Sequence, residues 1–210
     1  MDDAEQAKAY ALADFAEPHD RFVAQFREHF SNHDPRQVLD LGCGPADVIL
    51  RFARVYGQSN ILGIDGARAM LRHAHAAVAG AGLDARVSLL EARLPQRLPG
   101  NPYDTIISNS LLHHLADPAV LWQTVAENAD RNAAVFVMDL RRPATPRKAR
   151  HLVETYSAGE HALLKRDFLD SLCAAYRPEE VSCQLRNASL EHFTVAAVGD
   201  RHLVVWGVQR

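Results

Sequence analysis

Val38-Leu39-Asp40-Leu41-Gly42-Cys43-Gly44-Pro45-Ala46 reads as a buried strand running straight into a glycine turn and then into a helix. Gly42 and Gly44 give the backbone access to dihedrals closed to other residues, and they let a ligand approach without meeting a Cβ. Pro45 suits a first helical position, where its fixed φ fits and its missing N–H would have no partner. A phosphate-cradling turn would read G-x-G-x-x-G, but the third glycine position holds Asp47. A carboxylate there suits the positive end of a helix dipole and repels a phosphate. The turn is therefore matched to a ligand without phosphates, and Asp40 at the strand end is placed to accept hydrogen bonds from a cationic one.

Working outward, Asn60-Ile61-Leu62-Gly63-Ile64-Asp65 is a second short apolar run ending in an acid. It falls about twenty residues after the first turn, where open α/β sheets place a carboxylate on a ribose diol. Together the two segments resemble the class I S-adenosylmethionine (SAM)-dependent methyltransferases, in which a D-x-G-x-G-like turn and an acid ending the second strand hold the cofactor. The likeness extends from Val38 toward the C-terminus. It departs at the family's third glycine, which is Ala46 here, a residue small enough to keep the packing close.

The resemblance implies roles for further residues. Arg86 to Leu90 is the third strand, and the position that ends it, with its successor, contacts adenine in the family; these are Glu91 and Ala92. Tyr103 to Asn109 is the fourth strand, leading into Ser110-Leu111-Leu112-His113-His114-Leu115, and Asn109 stands near the methionine part of the cofactor. The implied cofactor set is Asp40, Gly42, Gly44, Asp65, Gly66, Met70, Glu91, Ala92, Asn109 and Ser110. His113 or His114 would face the methyl group as general base, since imidazole titrates near neutral pH. The alternative is that the pair only packs and hydrogen-bonds.

The remaining segments fit the same plan. Ala4 to about Phe30 reads as one or two helices broken near Pro18, with Tyr10, Asp14, Phe15 and His19 as candidates for a lid over the site. Helices are expected from Val48 to Tyr56, stopped by a left-handed Gly57, and from Gly66 to Gly80, with Met70, Leu71, Ala74 and Val78 facing inward. His73 and His75 are two apart, on different faces of that helix, and so make no metal pair. The link Leu94 to Pro102 reads as a loop, Pro118 to Asn128 as a helix, and Ala133 to Leu140 as a buried fifth strand. Thr145 and Pro146 read as the N-cap and first residue of the next helix. Arg141, Arg142, Arg147, Lys148 and Arg150 form a basic cluster at the strand exit, and Arg141 and Arg142, with Tyr10 and Phe15, are the candidate substrate residues. More helix follows through Asn187, then a hairpin of His192 to Val198 and Leu203 to Val208. In the family such a pair completes a Rossmann-like three-layer sandwich with a mostly parallel seven-stranded sheet, order 3-2-1-4-5-7-6.

Composition agrees with a single domain: 210 residues with 48% hydrophobic content suffice for one α/β core. The expected organisation is a helical lid over 1–35, a cofactor-binding core over 36–140, a substrate-specific insertion over 141–190 and the hairpin over 191–210. A formal charge of −3 gives no global attraction to nucleic acid or to an acidic membrane. Three cysteines without C-x-x-C spacing suggest neither a disulfide framework nor zinc, and a reducing, cytoplasmic compartment is expected. No apolar run is long enough for a membrane span. The expected activity is methyl transfer from SAM to a small molecule, without a metal. The alternatives are an RNA-modifying enzyme using the basic cluster as a phosphate track and a non-catalytic SAM-binding module.

Overall fold

The computed structural model describes residue 10, residues 15–100 and residues 102–210. Helix α1 (Ala16–His29) leads into β1 (Gln37–Leu41), α2 (Asp47–Val55), β2 (Asn60–Asp65), α3 (Arg68–Gly80), β3 (Val87–Glu91) and β4 (Tyr103–Asn109). A short 3₁₀ turn (Leu112–His114), α4 (Ala119–Asn128) and β5 (Ala129–Leu140) follow. Then come α5 (Pro146–Tyr156), α6 (Ala162–Ala174), α7 (Pro178–Asn187), β6 (Thr194–Val198) and β7 (His202–Val208). The seven strands form one sheet in the order β3-β2-β1-β4-β5-β7-β6, parallel as far as β5 and antiparallel at β7 and β6, as the sequence led us to expect.

The period-two alternation of the strands divides the core between the two faces of the sheet. Val38, Ile61, Ile107, Phe136 and Val204 face α1, α2 and α3. Their neighbours Leu39, Ile106, Val135, Val137, Leu203 and Val205 face α4 and α7. On the first face Phe26 of α1 meets Phe52 of α2 edge-on at 5.0 Å and Phe136 of β5 at 6.0 Å. On the second, the fully buried Trp122 donates from its indole N–H to Gln184 at 3.0 Å, which ties α4 to α7. Helices α5 and α6 belong to neither face. With Leu140 they bury a small cluster of their own, Ala149, Leu152 and Leu172, beyond the C-terminal end of β5.

Several boundaries differ from the sequence reading. The break expected near Pro18 falls at Phe15, the non-helical N-cap of α1, and Pro18 itself lies in the first turn, where a missing N–H costs no helical bond. Residues 4–9 and 11–14, including the lid candidate Asp14, lie outside the described residues. Pro45 precedes the start of α2, because the turn takes one more residue and Ala46 serves as N-cap with φ +71°. Helix α2 ends at Val55 with Tyr56 as its C-cap, so Gly57 is no left-handed stop. Strand β5 begins at Ala129, its first four residues outside the core. Thr145 caps α5 as expected, accepting from the Lys148 N–H at 3.2 Å. Among the described residues no helix is long and apolar enough to cross a membrane.

The C-terminal hairpin docks tightly enough to give a stability prediction. A Cβ at Gly207 would lie 2.9 Å from Cγ and 3.0 Å from Cε1 of Phe193, a ring buried in the second core face. Gly207→Ala should therefore cost about 1–3 kcal/mol of overpacking. For a chain of this length that lowers the melting temperature by about 2–12 °C. Calorimetric unfolding at the wild-type temperature would show instead that Phe193 has room to turn aside.

Candidate functional site

Strands β1 and β4 are neighbours although β2 and β3 intervene in the chain, so the helices after them leave on opposite faces and a crevice opens at their C-terminal ends. The glycine turn lies at this switch point. Gly42 donates to the Ile64 carbonyl at 2.9 Å, and Gly44 donates to Asp65 Oδ2 at 2.9 Å. Asp65 Oδ1 accepts from the Ala67 N–H at 2.8 Å, so one carboxylate fastens the turn to the start of α3. Gly42 needs to be glycine for packing, since a Cβ there would come 2.9 Å from Leu111 at φ +76°. Gly44 differs: at φ +53° it faces open space, with nothing within 4 Å of an added Cβ.

Two buried acceptors in this crevice have no protein partner: Asp40 Oδ2 on β1 and Asn109 Oδ1 at the end of β4. Burial first, and the Asp65 carboxylate second, push the Asp40 carboxyl up to about 8. Unpaired buried acceptors are rare and costly, and here they are matched by a ligand that carries positive charge and N–H donors. The amino acid end and sulfonium of SAM meet that description, and the open face of Gly44 admits close approach. These residues therefore fit the cofactor.

Beside the crevice lies a cavity of about 560 Å³, walled by the N-terminal segment (Tyr10, Phe15, His19), the exits of β4 and β5, α5, α6 and the start of β7. Its floor holds a histidine–carboxylate pair. Buried His113 lies with Nδ1 2.6 Å from Asp139 Oδ1, while Asp139 Oδ2 accepts from the Leu112 N–H at 2.7 Å. With Nδ1–H donating to the carboxylate, Nε2 keeps its lone pair. His114 packs on His113 with ring centroids 4.0 Å apart and also lines the cavity; desolvation first and His113 second push it down to about 4. Ser110 takes φ +58° at the cavity wall, a left-handed conformation uncommon for a residue with a side chain.

Apart from Arg141 and Arg142, the sequence-predicted site residues fall into two groups. Asn109, Ser110, His113, His114, Tyr10 and Phe15 line the cavity. Asp40, Gly42, Gly44, Asp65, Gly66, Met70, Glu91 and Ala92 lie off it, at the ends of β1, β2 and β3 and the start of α3. Tyr10 joins the two groups, packing on Ala67, Ala69 and Met70 with its hydroxyl pushed up to about 12 by burial and then by Asp47. Ala92 N donates to the Asp65 carbonyl at 3.1 Å, whereas Glu91 accepts from Arg68 Nε at 2.6 Å on the exposed edge. Asp47 explains its own presence in the turn: it pairs with buried His19 of α1 and with Arg51, and the His19 bond holds its carboxyl below the usual range.

Arg141 and Arg142 are not at the cavity. Arg141 donates to the Gly199 carbonyl at 3.2 Å, and Arg142 is taken up by Glu180 of α7. The guanidinium that does line the cavity is Arg201, stacked over the Tyr156 ring at 3.4 Å. Asp139, Arg201 and His202 are the site residues that sequence reasoning missed. Asp139 had a signal, since an acid inside the apolar run Ala133 to Leu140 needs a partner once buried. Arg201 and His202 had none, because they reach the site through the antiparallel register that sets Leu140 opposite His202.

Comparison with known proteins agrees with this geometry. Residues 38–132 match the model of a methyltransferase domain family. The chain is 29% identical over 107 residues to the trans-aconitate 2-methyltransferase of Azoarcus sp. (strain BH72), covering 51% of this chain and 40% of that one. It is 26% identical over 162 residues to the ubiquinone biosynthesis O-methyltransferase of Xanthomonas euvesicatoria, covering 74% and 62%. In both cases the aligned part is less than two thirds of the relative's length. Among solved structures, a SAM-dependent methyltransferase from Aquifex aeolicus superposes with TM-score 0.71 at 18% identity over 98% of both chains. The plantazolicin methyltransferase BpumL, in complex with SAH, superposes with TM-score 0.67 at 13% identity over 91% of this chain and 82% of that one. The sheet order and the glycine turn with its acid-ended second strand give this chain the Rossmann-like fold of the SAM-dependent methyltransferases, and its residues 38–132 match the methyltransferase domain model.

Proposed function

We propose that the chain transfers the methyl group of SAM to a small molecule bound in the 560 Å³ cavity, with His113 as the general base. The observation that carries this reading is the pair of unpartnered acceptors, Asp40 Oδ2 and Asn109 Oδ1, at the switch point next to that cavity. SAM supplies a methyl group already activated on a sulfonium, so the chain has to orient the acceptor and exclude water. Asp65 and the open face of Gly44 hold the ribose side, Glu91 and Ala92 the adenine, and Asp40 and Asn109 the amino acid end. The lid, including Tyr10 and Phe15, closes over the junction, tied to α2 through His19 and Asp47. His113 Nε2 receives the acceptor's proton, and Asp139 fixes the tautomer and stabilises the imidazolium. His114, pushed down to about 4, is too weak a base for that role at neutral pH.

In this reading the chain works as one domain: lid 1–35, cofactor core 36–140, acceptor insertion 141–190 and hairpin 191–210. The reduced state of Cys43, Cys173 and Cys183 suits the cytoplasm. Methyl-labelled SAM incubated with the protein and a small-molecule extract should yield a labelled small product, and an RNA fraction should stay unlabelled. Labelled RNA would overturn the substrate class, and no labelled product with SAM bound would leave a binding module.

A second test uses Asp40. A carboxyl held near 8 keeps its proton at pH 7, and a cation brought against it favours the carboxylate. Binding of S-adenosylhomocysteine, whose ammonium group would supply that charge, should release a sizeable fraction of one proton at pH 7, with affinity rising from pH 6 to 8. Calorimetry in two buffers of different ionisation enthalpy checks this, and Asp40→Asn should abolish the difference. The same shift sets ligand-free stability. The folded chain binds more protons than the unfolded chain between about 4 and 8, so stability should fall as pH rises through that window. Identical heats in both buffers would place the cation elsewhere.

A further inference from the structure

We propose, building on the methyltransferase reading, that His202 is an acceptor-binding residue, and that the acceptor carries a hydroxyl, apart from the atom that is methylated, to meet its Nδ1. His202 opens β7 opposite Leu140, one residue beyond the Asp139 that holds His113, so the end of β5 brings both imidazoles to one cavity. The two-residue period of the strands puts Met138, Leu140 and His202 on the same side of the sheet, the side of α1, and all three line the cavity. His202 is 5% exposed, yet its Nδ1 has no hydrogen-bond partner. A buried nitrogen left in that state is costly, and the space its ring borders is the one from which a ligand could relieve it.

The chemistry of the ring selects the ligand group. A neutral imidazole has one N–H and one lone pair, so Nδ1 lacks a donor in one tautomer and an acceptor in the other. A hydroxyl answers both needs, because it can donate or accept. An ammonium answers only the first, and an ether or a carboxylate only the second. Burial first and Arg201 second push His202 down to about 4, so the ring is neutral at pH 7 and too weak a base to take the reacting proton. Its part is therefore to bind. The adjacent Arg201 does not compete for the same group, since it lies over the Tyr156 ring and pairs with Glu17 at 3.3 Å and Asp200 at 3.4 Å. Phe15, Leu140, Leu164 and Phe168 give the cavity apolar walls. A hydrocarbon body suits those walls, and one polar contact at His202 fixes which end of it faces the cofactor.

The test compares 2-phenylethanol with ethylbenzene, which has a similar body and no hydroxyl, by ligand-observed NMR, with saturating S-adenosylhomocysteine and again without it. His202→Leu should weaken 2-phenylethanol about three- to tenfold, the worth of one neutral hydrogen bond, and leave ethylbenzene unchanged or better bound. His202→Asn, whose amide can donate or accept near the place of Nδ1, should recover part of the loss. In the wild-type chain the ¹⁵N resonance of His202 Nδ1 should move on saturation with 2-phenylethanol and stay in place with ethylbenzene, a readout that does not depend on any variant folding. No binding of 2-phenylethanol, an unmoved Nδ1 resonance in its presence, or equal weakening of both probes in His202→Leu overturns the proposal. Should S-adenosylhomocysteine itself fail to bind, the cofactor reading falls, while the two probes on the ligand-free chain still decide this one.

Discussion

Once an acceptor is in hand, replacing His113 by Ala should slow methyl transfer by about 10²–10⁴ and leave SAM affinity near wild type. The expectation rests on the 2.6 Å contact of His113 Nδ1 with Asp139, which fixes one tautomer and leaves Nε2 as the base. The acid limb of the pH–rate profile should disappear with the imidazole, because protonation of Nε2 is what would produce it. Removing the ring also strands a buried carboxylate, so folding must be separated from chemistry. His113→Asn keeps a donor for Asp139 and should fold while remaining slow. Asp139→Asn should lower the rate and move the acid limb, since an amide keeps one of the two acceptor oxygens that His113 and Leu112 use and cannot stabilise an imidazolium. His114→Ala should stay within a few-fold of wild type. Full activity in both His113 variants would make the pair a packing element and leave transfer to positioning alone.

The second large effect concerns the cofactor. Asp65→Ala should reduce affinity for SAM or S-adenosylhomocysteine well beyond tenfold. A hydrogen bond to a charged group is worth about 1.5–3 kcal/mol, and tenfold corresponds to about 1.4. Asp65 has a double task, because it also accepts from Gly44 N at 2.9 Å and Ala67 N at 2.8 Å, so its loss loosens the turn it is meant to present. Asp65→Asn keeps one acceptor oxygen and should fall between wild type and Ala. NAD and NADP should show no binding in the same calorimeter, given the Asp47 carboxylate at the helix start. Wild-type affinity in Asp65→Ala would remove the ribose assignment.

The parts legible in the sequence were those that depend on neighbours along the chain. A strand, a glycine turn and a helix signal themselves within about ten residues through period and punctuation. The sheet order then followed from the family likeness. What failed was either conformational detail inside one turn or a partner far away. Pro45 looks like a first helical residue only until the extra turn residue, Ala46 at φ +71°, is known. Arg141 and Arg142 were candidate substrate residues, but Gly199 and Glu180, 58 and 38 residues away, had already claimed them. The same long range hid the lining of the cavity, whose described carboxylates come from α1, α6 and the link before α6 while Arg201 comes from the hairpin turn.

The order of the last two strands has a bearing on how the chain comes to life on the ribosome. Strand β7 lies between β5 and β6, yet β6 is synthesised first. While the exit tunnel still holds His202 to Val208, β5 presents an open edge of apolar residues and β6 has no strand to pair with, the situation that invites association with other nascent chains. The cofactor half, from β1 to β4, can assemble long before. The cavity waits for Arg201 and His202, which close its wall only when β7 slots in beside Leu140. Slowing translation just after β6 should thus prolong a state in which β1 to β4 are in place while the wall of the cavity is unfinished.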